Sequence, residues 1–324
     1  MRRLLLALLL LLAACSQSEP PADTSKVFKV ALLSPGPVSD AGWNALAYEG
    51  LLAIRDQLGA EIAQVEVHNP GQFEDGFRDF AQRGFNLIFG HGFEFQDAAA
   101  AVAPGFPTTV FITTSGNTVR PNVAPLRFML EEATYLEGML TASMSKSGKA
   151  GAVGGMAIPS VKSTITAYEA GAKAVNPNFQ VLTSYVGNWQ DVGAAKEAAL
   201  ALIQQGADFL FHNADAAGLG VFQAAQQQQV LAFGANKNQN DIAPDVVLAS
   251  AVIDIPRGFL TVARQVKDHT FVARVEKMGM KDGIVSLQYN PKLVDRIPPE
   301  VKAKVDAAQQ AILAGTLTPP AAEF

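Results

Sequence analysis

Two indole and two carboxylate side chains stand in turn-rich segments where they could take part in ligand recognition. Trp43 and Asp40 share the segment GPVSDAGWN, Trp189 lies in GNWQD, and Asp215 lies in NADAAG. An aromatic ring that stacks on a flat heterocycle contributes about 1 to 3 kcal/mol per face. A carboxylate that accepts hydrogen bonds from ring N–H or amine groups adds about 1.5 to 3 kcal/mol. These residues predict a site that stacks a flat heterocycle between two tryptophans and holds its edge through Asp215.

Two further candidates, and an alternative for Asp40, come from the same kind of segment. Phe93 lies in GHGFEF, where glycines let the backbone approach a ligand closely, and Asn236 lies in GANKN. Phe93 could instead pack in a domain core. Asp40 could instead cap the helix that follows it, because aspartate satisfies the free N–H groups of a first helical turn. Capping and ligand binding can coexist.

Composition and motifs argue against several classes of protein. One cysteine, Cys15, and four histidines allow no intrachain disulfide and no cysteine-based zinc cluster. A net charge of −5 argues against nucleic-acid binding, which needs clustered lysine and arginine. The G-x-S-x-G, G-x-G-x-x-G and H-E-x-x-H motifs do not occur in the sequence. We therefore predict no enzyme, catalytic residue, metal or cofactor, although Asp40 and Asp215 could in principle act as paired glycosidase acids.

The first 26 residues predict export and a membrane anchor. Arg2 and Arg3 precede an apolar run at 4–14, which is shorter than the roughly 20 residues that a membrane-spanning helix needs. We interpret 1–14 as a signal peptide. The following LAACS resembles the lipobox of bacterial lipoproteins, in which the cysteine becomes the acylated N-terminus, for example with palmitate. Cys15 is thus the predicted lipidation site, and polar residues 15–26 a tether at the periplasmic face of the cell membrane.

Strand-like and helix-like segments alternate along the rest of the chain, which indicates βαβ units and an α/β fold with parallel sheets. The predicted strands are 28–33, 61–67, 87–90, 109–112, 149–153, 180–185, 209–213 and 231–234, and the predicted helices are 43–58, 73–83, 95–102, 132–144, 161–175, 192–204 and 219–227. Two such series in 324 residues favour two lobes, because single cores stop growing near about 250 residues. The candidate residues follow predicted strands, where parallel sheets place ligands.

Several segments together resemble the basic membrane protein family, the purine and nucleoside receptors of ABC importers. The resemblance covers about 28–315 and rests on GPVSDAGWN and AYEGL in the first half, and on AYEAGAKAVNP, WQD, QGAD, AP and LAS in the second. It implies a type I periplasmic-binding-protein fold, in which two Rossmann-like lobes close on a ligand about a hinge. It also implies an extracytoplasmic, monomeric substrate-binding protein that delivers its ligand to ABC transporter permease subunits.

The resemblance further implies lobe boundaries and residue roles. Lobe 1 is expected at 27–130 plus about 251–285, and lobe 2 at 131–250 plus about 286–324. The site residues that it implies are Trp43 and Trp189 for stacking, Asp215 for the base edge, and Asp40, Phe93 and Asn236 for the wall.

Two departures from the nucleoside receptors bear on the ligand. Their Gly-Val-Asp-like loop, which helps hold ribose, appears here as GANK at 234–237, and their lysine aligns with Ile253. We therefore expect a nucleobase such as adenine, guanine or hypoxanthine, with nucleosides second. The alternatives are a receptor for a sugar, riboflavin or an autoinducer on the same fold, and a surface lipoprotein without a transport role. The candidate loops are short of arginine, which argues against a sugar site.

Overall fold

The structure of the protein is a computed structural model that describes residues 27–40 and 42–323. The predicted signal peptide and the whole of the predicted tether, including Cys15, lie outside the described residues. The strands are β1 (Lys29–Ser34), β2 (Glu61–Glu66), β3 (Leu87–Gly90), β4 (Val110–Thr114), β5 (Val123–Phe128), β6 (Lys149–Gly154), β7 (Gln180–Tyr185), β8 (Phe209–Asn213), β9 (Leu231–Asn236), β10 (Val247–Ile253), β11 (Glu276–Met278) and β12 (Val285–Tyr289). The α-helices are α1 (Trp43–Leu58), α2 (Pro70–Gln82), α3 (Gln96–Val102), α4 (Glu131–Met144), α5 (Pro159–Val175), α6 (Val192–Gln204), α7 (Gly218–Gln228), α8 (Ile255–Lys267) and α9 (Pro299–Leu313).

The strands form two six-stranded sheets, one in each lobe. The first has the order β11-β5-β4-β3-β1-β2, and the second has the order β12-β10-β9-β8-β6-β7. Every pairing in the first sheet is parallel, and in the second only β12 runs antiparallel, against β10. The predicted α/β fold with two largely parallel lobes is confirmed, with β12 as the exception to parallel pairing.

The described chain crosses between the lobes three times. The first crossing follows β5 and leads into α4, which packs against α5 of the second lobe. The second follows Ile253 and leads into α8, which packs against α1 of the first lobe. The third lies between Met278 and Val285. Sheet membership therefore places the second crossing a few residues after the expected position near 251, and the third just before Val285.

Local capping sets where α1 begins and so where Trp43 lies. The Asp40 carboxylate accepts hydrogen bonds from the backbone N–H groups of Gly42, Asn44 and Ala45, each at 2.9 Å. These groups have no partner within a helix, so the aspartate stabilises the first turn. Trp43 is consequently the first residue of α1, at the carboxyl end of β1. Leu46, Leu51 and Ile54 of the same helix are buried and hold it against the rest of lobe 1.

Helices α4 and α5 approach each other so closely that only glycine fits at two contact points. A Cβ added at Gly138 would overlap the backbone carbonyl of Tyr168, and one added at Gly171 would overlap the carbonyl of Tyr135. Both obstacles are backbone atoms, which cannot move aside as a side chain can. The two glycines thus bring α4, the helix that follows the first crossing, into direct contact with α5, whose first turns line the cleft between the lobes.

Candidate functional site

A cavity lies between the two lobes at the carboxyl ends of the strands of both sheets. It encloses about 770 Å³ of space between atoms, including its opening to solvent. Its walls come from the ends of β1, β3, β4, β5, β6, β7, β8, β9 and β10, or from the segments that follow them, which is where parallel sheets place ligands. The lining residues are Pro35, Trp43, Gly92, Phe93, Glu94, Ser115, Arg127, Phe128, Leu130, Glu131, Ile158, Ser160, Val161, Thr164, Trp189, Asn213, Asp215, Asn236 and Ile253.

The cavity brings together most of the residues expected from the sequence. Trp43, Phe93, Trp189, Asp215 and Asn236 all line it, with the first two from lobe 1 and the other three from lobe 2. These residues are far apart in sequence, and they meet because the two sheets present the carboxyl ends of their strands to the same cleft.

A buried histidine, His91, stacks against the indole of Trp43. The His91 ring stacks on it with centroids 4.2 Å apart and an interplanar angle of 22°, and Phe128 meets it edge-on at 6.3 Å. His91 Nε2 lies 3.0 Å from the Trp43 carbonyl oxygen, and Nδ1 lies 3.1 Å from Thr114 Oγ1. Because a carbonyl can only accept, Nε2 is the donor and Nδ1 accepts from Thr114. Burial lowers the pKa of His91 to about 3, so the ring is a neutral, fixed support.

Trp189 enters the cavity from the loop after β7 in the other lobe. Its ring packs over Gly155, where an added Cβ would overlap the indole. The Trp189 carbonyl accepts a hydrogen bond of 3.0 Å from the N–H of Ala217. Asn188 Oδ1 accepts from the N–H groups of Gln190 and Asp191, which fixes the turn. The loop that carries this indole is therefore tied to the short helix that carries Asp215.

Asp215 joins the two lobes directly. Its Oδ1 accepts a hydrogen bond of 3.3 Å from the backbone N–H of Trp43, and a Cβ added at Gly42 would come within 3.4 Å of the same oxygen. Its backbone has a φ of 51°, in the left-handed region that costs a non-glycine residue energy. Asp215 thus has an unfavourable backbone conformation in the position where its carboxylate contacts the first turn of α1.

The surroundings of Asp215 disfavour its charged form. The pKa of the carboxyl is raised to about 8, chiefly by burial and also by the negative charges of Asp40 and Glu94, while the hydrogen bond from the Trp43 N–H opposes this rise. Burial also raises the pKa of Glu94. Around neutral pH the Asp215 carboxyl is therefore largely protonated when no ligand is present.

Asp40 does not line the cavity, which corrects the expectation that it forms part of the wall. Besides the three backbone groups that it caps, its Oδ2 accepts a hydrogen bond of 2.9 Å from the side-chain amide of Asn44. These four bonds direct the carboxylate at its own helix terminus. The capping alternative describes its position, and its influence on the site is to position Trp43 and to oppose ionisation of Asp215.

Amide and hydroxyl groups of lobe 2 form a connected chain along one wall. Asn236 Nδ2 donates to Asn213 Oδ1 at 3.3 Å, and Asn213 Nδ2 donates to Thr164 Oγ1 at 3.2 Å. Asn236 also has a positive φ, of 69°, as does Ser115 across the cavity, at 74°. Three of the five described non-glycine residues with positive φ therefore line this one cavity, which is a pattern associated with functional sites.

Sequence interpretation missed the cavity residues contributed by the first crossing. Arg127 is the penultimate residue of β5, Glu131 is the first residue of α4, and both line the cavity. Burial raises the pKa of Glu131 to about 7, and attraction to Arg127 opposes this rise. The cavity thus has an arginine in its wall, although the candidate loops themselves are short of arginine. Recognising β5 as a strand would have revealed this pair, because Arg127 and Glu131 lie at and just after its carboxyl end.

The two lobes are in contact around the cavity. In addition to the bond from Trp43 to Asp215, the Lys237 ammonium on lobe 2 lies 3.0 Å from Glu49 on α1 of lobe 1. Exposed ion pairs of this kind contribute about 0 to 1 kcal/mol. These two polar contacts therefore connect the lobes beside the cavity.

Neither a metal site nor a membrane-spanning helix is found in the part of the chain that the structure describes. Over residues 27–40 and 42–323 no three or more His, Cys, Asp or Glu side chains are grouped so that they could hold a metal ion. Within the same ranges no helix is both long and apolar enough to cross a membrane.

Comparison with known proteins identifies the family. The family model Bmp, described as ABC transporter substrate-binding protein PnrA-like, matches residues 27–317. A purine-binding protein of Brucella abortus is 29% identical over 301 residues, which span 92% of this chain and 84% of that protein. A putative ABC transporter glucose-binding protein of Haloferax volcanii is 28% identical, over 85% of this chain and 70% of that protein.

Solved structures agree with this match. A solute-binding protein of an ABC transporter system from Conexibacter woesei superposes with a TM-score of 0.71 at 28% identity, covering 91% of this chain and 99% of that one. The superposed part of this chain is large enough to include both lobes. The chain belongs to the Bmp family of ABC transporter substrate-binding proteins and is not an enzyme.

Proposed function

We propose that the protein binds a purine nucleobase between its lobes, with a nucleoside as the second choice, and delivers it to the permease subunits of an ABC importer. The observation that carries this proposal is that one indole from each lobe lines the same cavity, with Asp215 hydrogen-bonded to the backbone of Trp43. Two rigid aromatic surfaces suit a flat ring, and a carboxylate suits its N–H groups. The purine-binding relative supports this assignment.

An apolar side chain in the cavity wall favours a base over a nucleoside. Ile253, which aligns with the lysine of the nucleoside receptors, lines the cavity, while Lys237 pairs with Glu49 at the surface. The resemblance to those receptors thus gives no lysine at 253 and no acid at 236, the positions that match their ribose-holding residues. The amide and hydroxyl groups along the lobe 2 wall leave a sugar as the alternative ligand, which the name of the Haloferax relative also favours.

The proposal includes a lipid anchor on Cys15 and a monomeric protein on the periplasmic side of the membrane. The lipobox-like LAACS and the polar tether support the anchor. Intact mass measurement on protein from its native membrane tests it directly. We expect a chain that begins at Cys15 and carries acyl chains, and an unmodified N-terminus would refute the anchor without affecting the binding site.

Ligand titration tests the binding function. Because two tryptophans line the cavity, intrinsic fluorescence of the purified mature protein reports on its occupancy. The protein is first denatured and refolded to remove bound ligand, then titrated with guanine, hypoxanthine, adenine, adenosine, riboflavin, ribose and glucose. We expect saturable quenching by a free base at low micromolar concentration or below, with weaker binding of adenosine. Binding of glucose or ribose alone, confirmed by calorimetry, would refute the purine assignment in favour of a sugar receptor.

A further inference from the structure

The cavity wall of lobe 2 carries a hydrogen-bonded chain of three side chains whose direction is fixed by the fold. Thr164 lies on α5, Asn213 ends β8 and Asn236 ends β9, and all three line the cavity. Each of the three residues is more than nine-tenths buried. An asparagine can turn either an acceptor oxygen or a donor nitrogen toward a ligand, so the direction of this chain decides what the cavity offers.

Thr164 sets the direction. Its hydroxyl donates a hydrogen bond of 2.8 Å to the backbone carbonyl of Val161, because a carbonyl oxygen can only accept. A hydroxyl has a single hydrogen, so the Thr164 oxygen can only accept from its other neighbour, Asn213. The Asn213 atom that lies 3.2 Å from it is therefore the amide nitrogen, and the Asn213 oxygen faces the other way.

Asn236 takes its direction from Asn213. The Asn213 oxygen lies 3.3 Å from the Asn236 side chain and can only accept, so the nitrogen of Asn236 must face it. The Asn236 oxygen, Oδ1, then points away from Asn213. Turning over either amide would place two acceptors against each other, so both orientations are determined by the bond that begins at Thr164.

The Oδ1 atom of Asn236 is the end of the chain that a ligand can reach. Within residues 27–40 and 42–323 no group donates a hydrogen bond to it, and it retains accessible surface. Because Asn236 lines the cavity, we assign that surface to the space that a ligand fills. A mostly buried acceptor gains a hydrogen bond from a ligand at little further cost in desolvation, and a ligand without a donor there leaves it unpaired.

The backbone around Asn236 holds the side chain in this position. Its φ of 69° is one that the surrounding structure must maintain. On one side of it, the Ala235 N–H donates to Gln239 Oε1 at 3.0 Å, and the His212 ring nitrogen Nε2 lies 3.0 Å from the same oxygen. On the other side, the Lys237 N–H donates to the Ala235 carbonyl at 2.9 Å. The acceptor is thus presented to the cavity from a hydrogen-bonded turn.

Asn236 Oδ1 joins Asp215 as an acceptor in the cavity wall, and a free purine base carries N–H donors on both of its rings. The five-membered ring has one N–H group. The six-membered ring has N1–H in hypoxanthine and an amine in adenine. A nucleoside has lost the first of these donors, because ribose replaces that hydrogen. Two acceptors can therefore pair with both rings of a free base, but with only one ring of a nucleoside.

We propose that Asn236 is a specificity-determining residue whose Oδ1 accepts a hydrogen bond from one N–H group of the bound base. Thr164 is a positioning residue, because it orients Asn236 through Asn213. This inference rests on the proposed function and adds a polar contact that distinguishes bases by their donors. It is carried by the three hydrogen bonds of the chain and by the unpaired oxygen at its cavity end.

Isothermal titration of the purified mature protein with hypoxanthine, 1-methylhypoxanthine and 9-methylhypoxanthine tests the inference. Each methyl group replaces the N–H donor of one ring. We expect the methyl group at the donor that faces Asn236 to weaken binding by about 5- to 150-fold, as for the loss of one buried hydrogen bond. If adenine binds more tightly than hypoxanthine, adenine, 9-methyladenine and N6,N6-dimethyladenine are the three probes.

Asn236→Gly removes the acceptor and is compatible with the positive φ. It should weaken binding of the unmethylated base by about 5- to 150-fold. It should also reduce the penalty of one methyl group to less than about threefold and leave the other penalty unchanged. Asn236→Asp keeps an acceptor and should retain the penalty that Asn236→Gly loses. Asn238→Gly is the matched control, because Asn238 is exposed on the same loop and does not line the cavity, and it should leave all affinities unchanged.

Thr164→Val keeps the shape of the side chain but removes the hydroxyl that orients the chain. It should reduce the penalty of the same methyl group, whereas Thr164→Ser should preserve that penalty. A purely structural role of Thr164 would instead change the affinities for all three probes alike, and that result would overturn its role in positioning.

Three results would overturn the assignment of Asn236 while leaving the purine assignment intact. These are unchanged binding of the unmethylated base in Asn236→Gly, an equal loss for all three probes in that variant, and methyl groups that cause no penalty in the unaltered protein. Loss of the same penalty in Asn236→Asp would mean that the residue does not act as an acceptor. Failure of every purine to bind the unaltered protein would overturn the proposed function as well.

Discussion

The ionisation of Asp215 gives the most specific prediction, because it connects affinity to pH. The carboxyl has a pKa of about 8 in the cavity between the lobes. The carboxylate form accepts a hydrogen bond from a purine N–H group much more strongly than the protonated carboxyl does, because a charged acceptor makes the stronger bond. With that pKa, the ionised fraction is about 1% at pH 6, about 9% at pH 7 and about 50% at pH 8. Affinity for hypoxanthine should therefore rise by about 50-fold between pH 6 and pH 8.

The assay is calorimetric titration with hypoxanthine at several values from pH 6 to pH 8, in buffers with different heats of ionisation. The buffer dependence should show release of about one proton on binding near pH 7, since the bound carboxyl loses the proton that the empty one holds. Asp215→Asn should bind more weakly at pH 8 and should lose most of the pH dependence. Glu131→Gln separates the contribution of the second carboxyl, whose pKa of about 7 lies in the same range.

Two results would refute this reasoning. Constant affinity from pH 6 to pH 8 would mean that ligand binding does not require the carboxylate. An unchanged slope in Asp215→Asn would mean that another group supplies the pH dependence.

The same pKa also predicts a stability effect with a definite sign. The unfolded chain releases the proton near pH 4 and the folded chain near pH 8, so Asp215 destabilises the empty protein as pH rises through this interval. The melting temperature of the empty Asp215→Asn variant should exceed that of the unaltered protein at pH 8, with little difference at pH 4.

Two further predictions concern the indoles and the helix contact. Trp43→Ala and Trp189→Ala should each weaken purine binding by about 5- to 150-fold, as expected for the loss of about 1 to 3 kcal/mol of stacking. The control Tyr185→Ala removes an exposed aromatic ring outside the cavity and should leave purine binding unchanged. Unchanged affinity in both tryptophan variants would exclude stacking. Gly171→Ala should destabilise the fold by about 3 kcal/mol or more in urea denaturation, because its Cβ would overlap a backbone carbonyl. The control Gly193→Ala in α6 should be tolerated. Equal stability of the two variants would show that the contact between α4 and α5 can relax.

Local pattern was sufficient to predict most elements of the fold. The predicted helix 43–58 coincides with α1, and the predicted strands 87–90, 180–185 and 209–213 coincide with β3, β7 and β8. Their periodicity is strong, and turn residues bound them clearly. The sequence interpretation identified neither β5 nor β10 to β12, nor α8 and α9. Strand β5 contains Pro125, which cannot donate a ladder hydrogen bond and argues against a central strand in sequence interpretation.

Because β5 was not identified from the sequence, the site residues at its end were not predicted. Trp43, Trp189 and Asp215 follow elements that periodicity reveals, so the sequence could place them on ligand-facing loops. Arg127 lies at the end of the strand that periodicity does not reveal and Glu131 lies just after it, so neither was a candidate. Asp40 had two possible roles, and the choice between them depended on the directions of four hydrogen bonds, which a sequence pattern does not contain.

The sequence by itself determined the α/β class, the loops that carry both tryptophans and Asp215, and the resemblance to a receptor family. Tertiary structure alone decided that one cavity collects residues from both lobes, that Asp215 accepts from the backbone of Trp43, and that its pKa lies near 8. The physical reason is the range of the interactions. Helical and strand periodicity, turns and caps arise between residues a few positions apart, whereas burial and the approach of charges depend on chain segments more than a hundred positions apart.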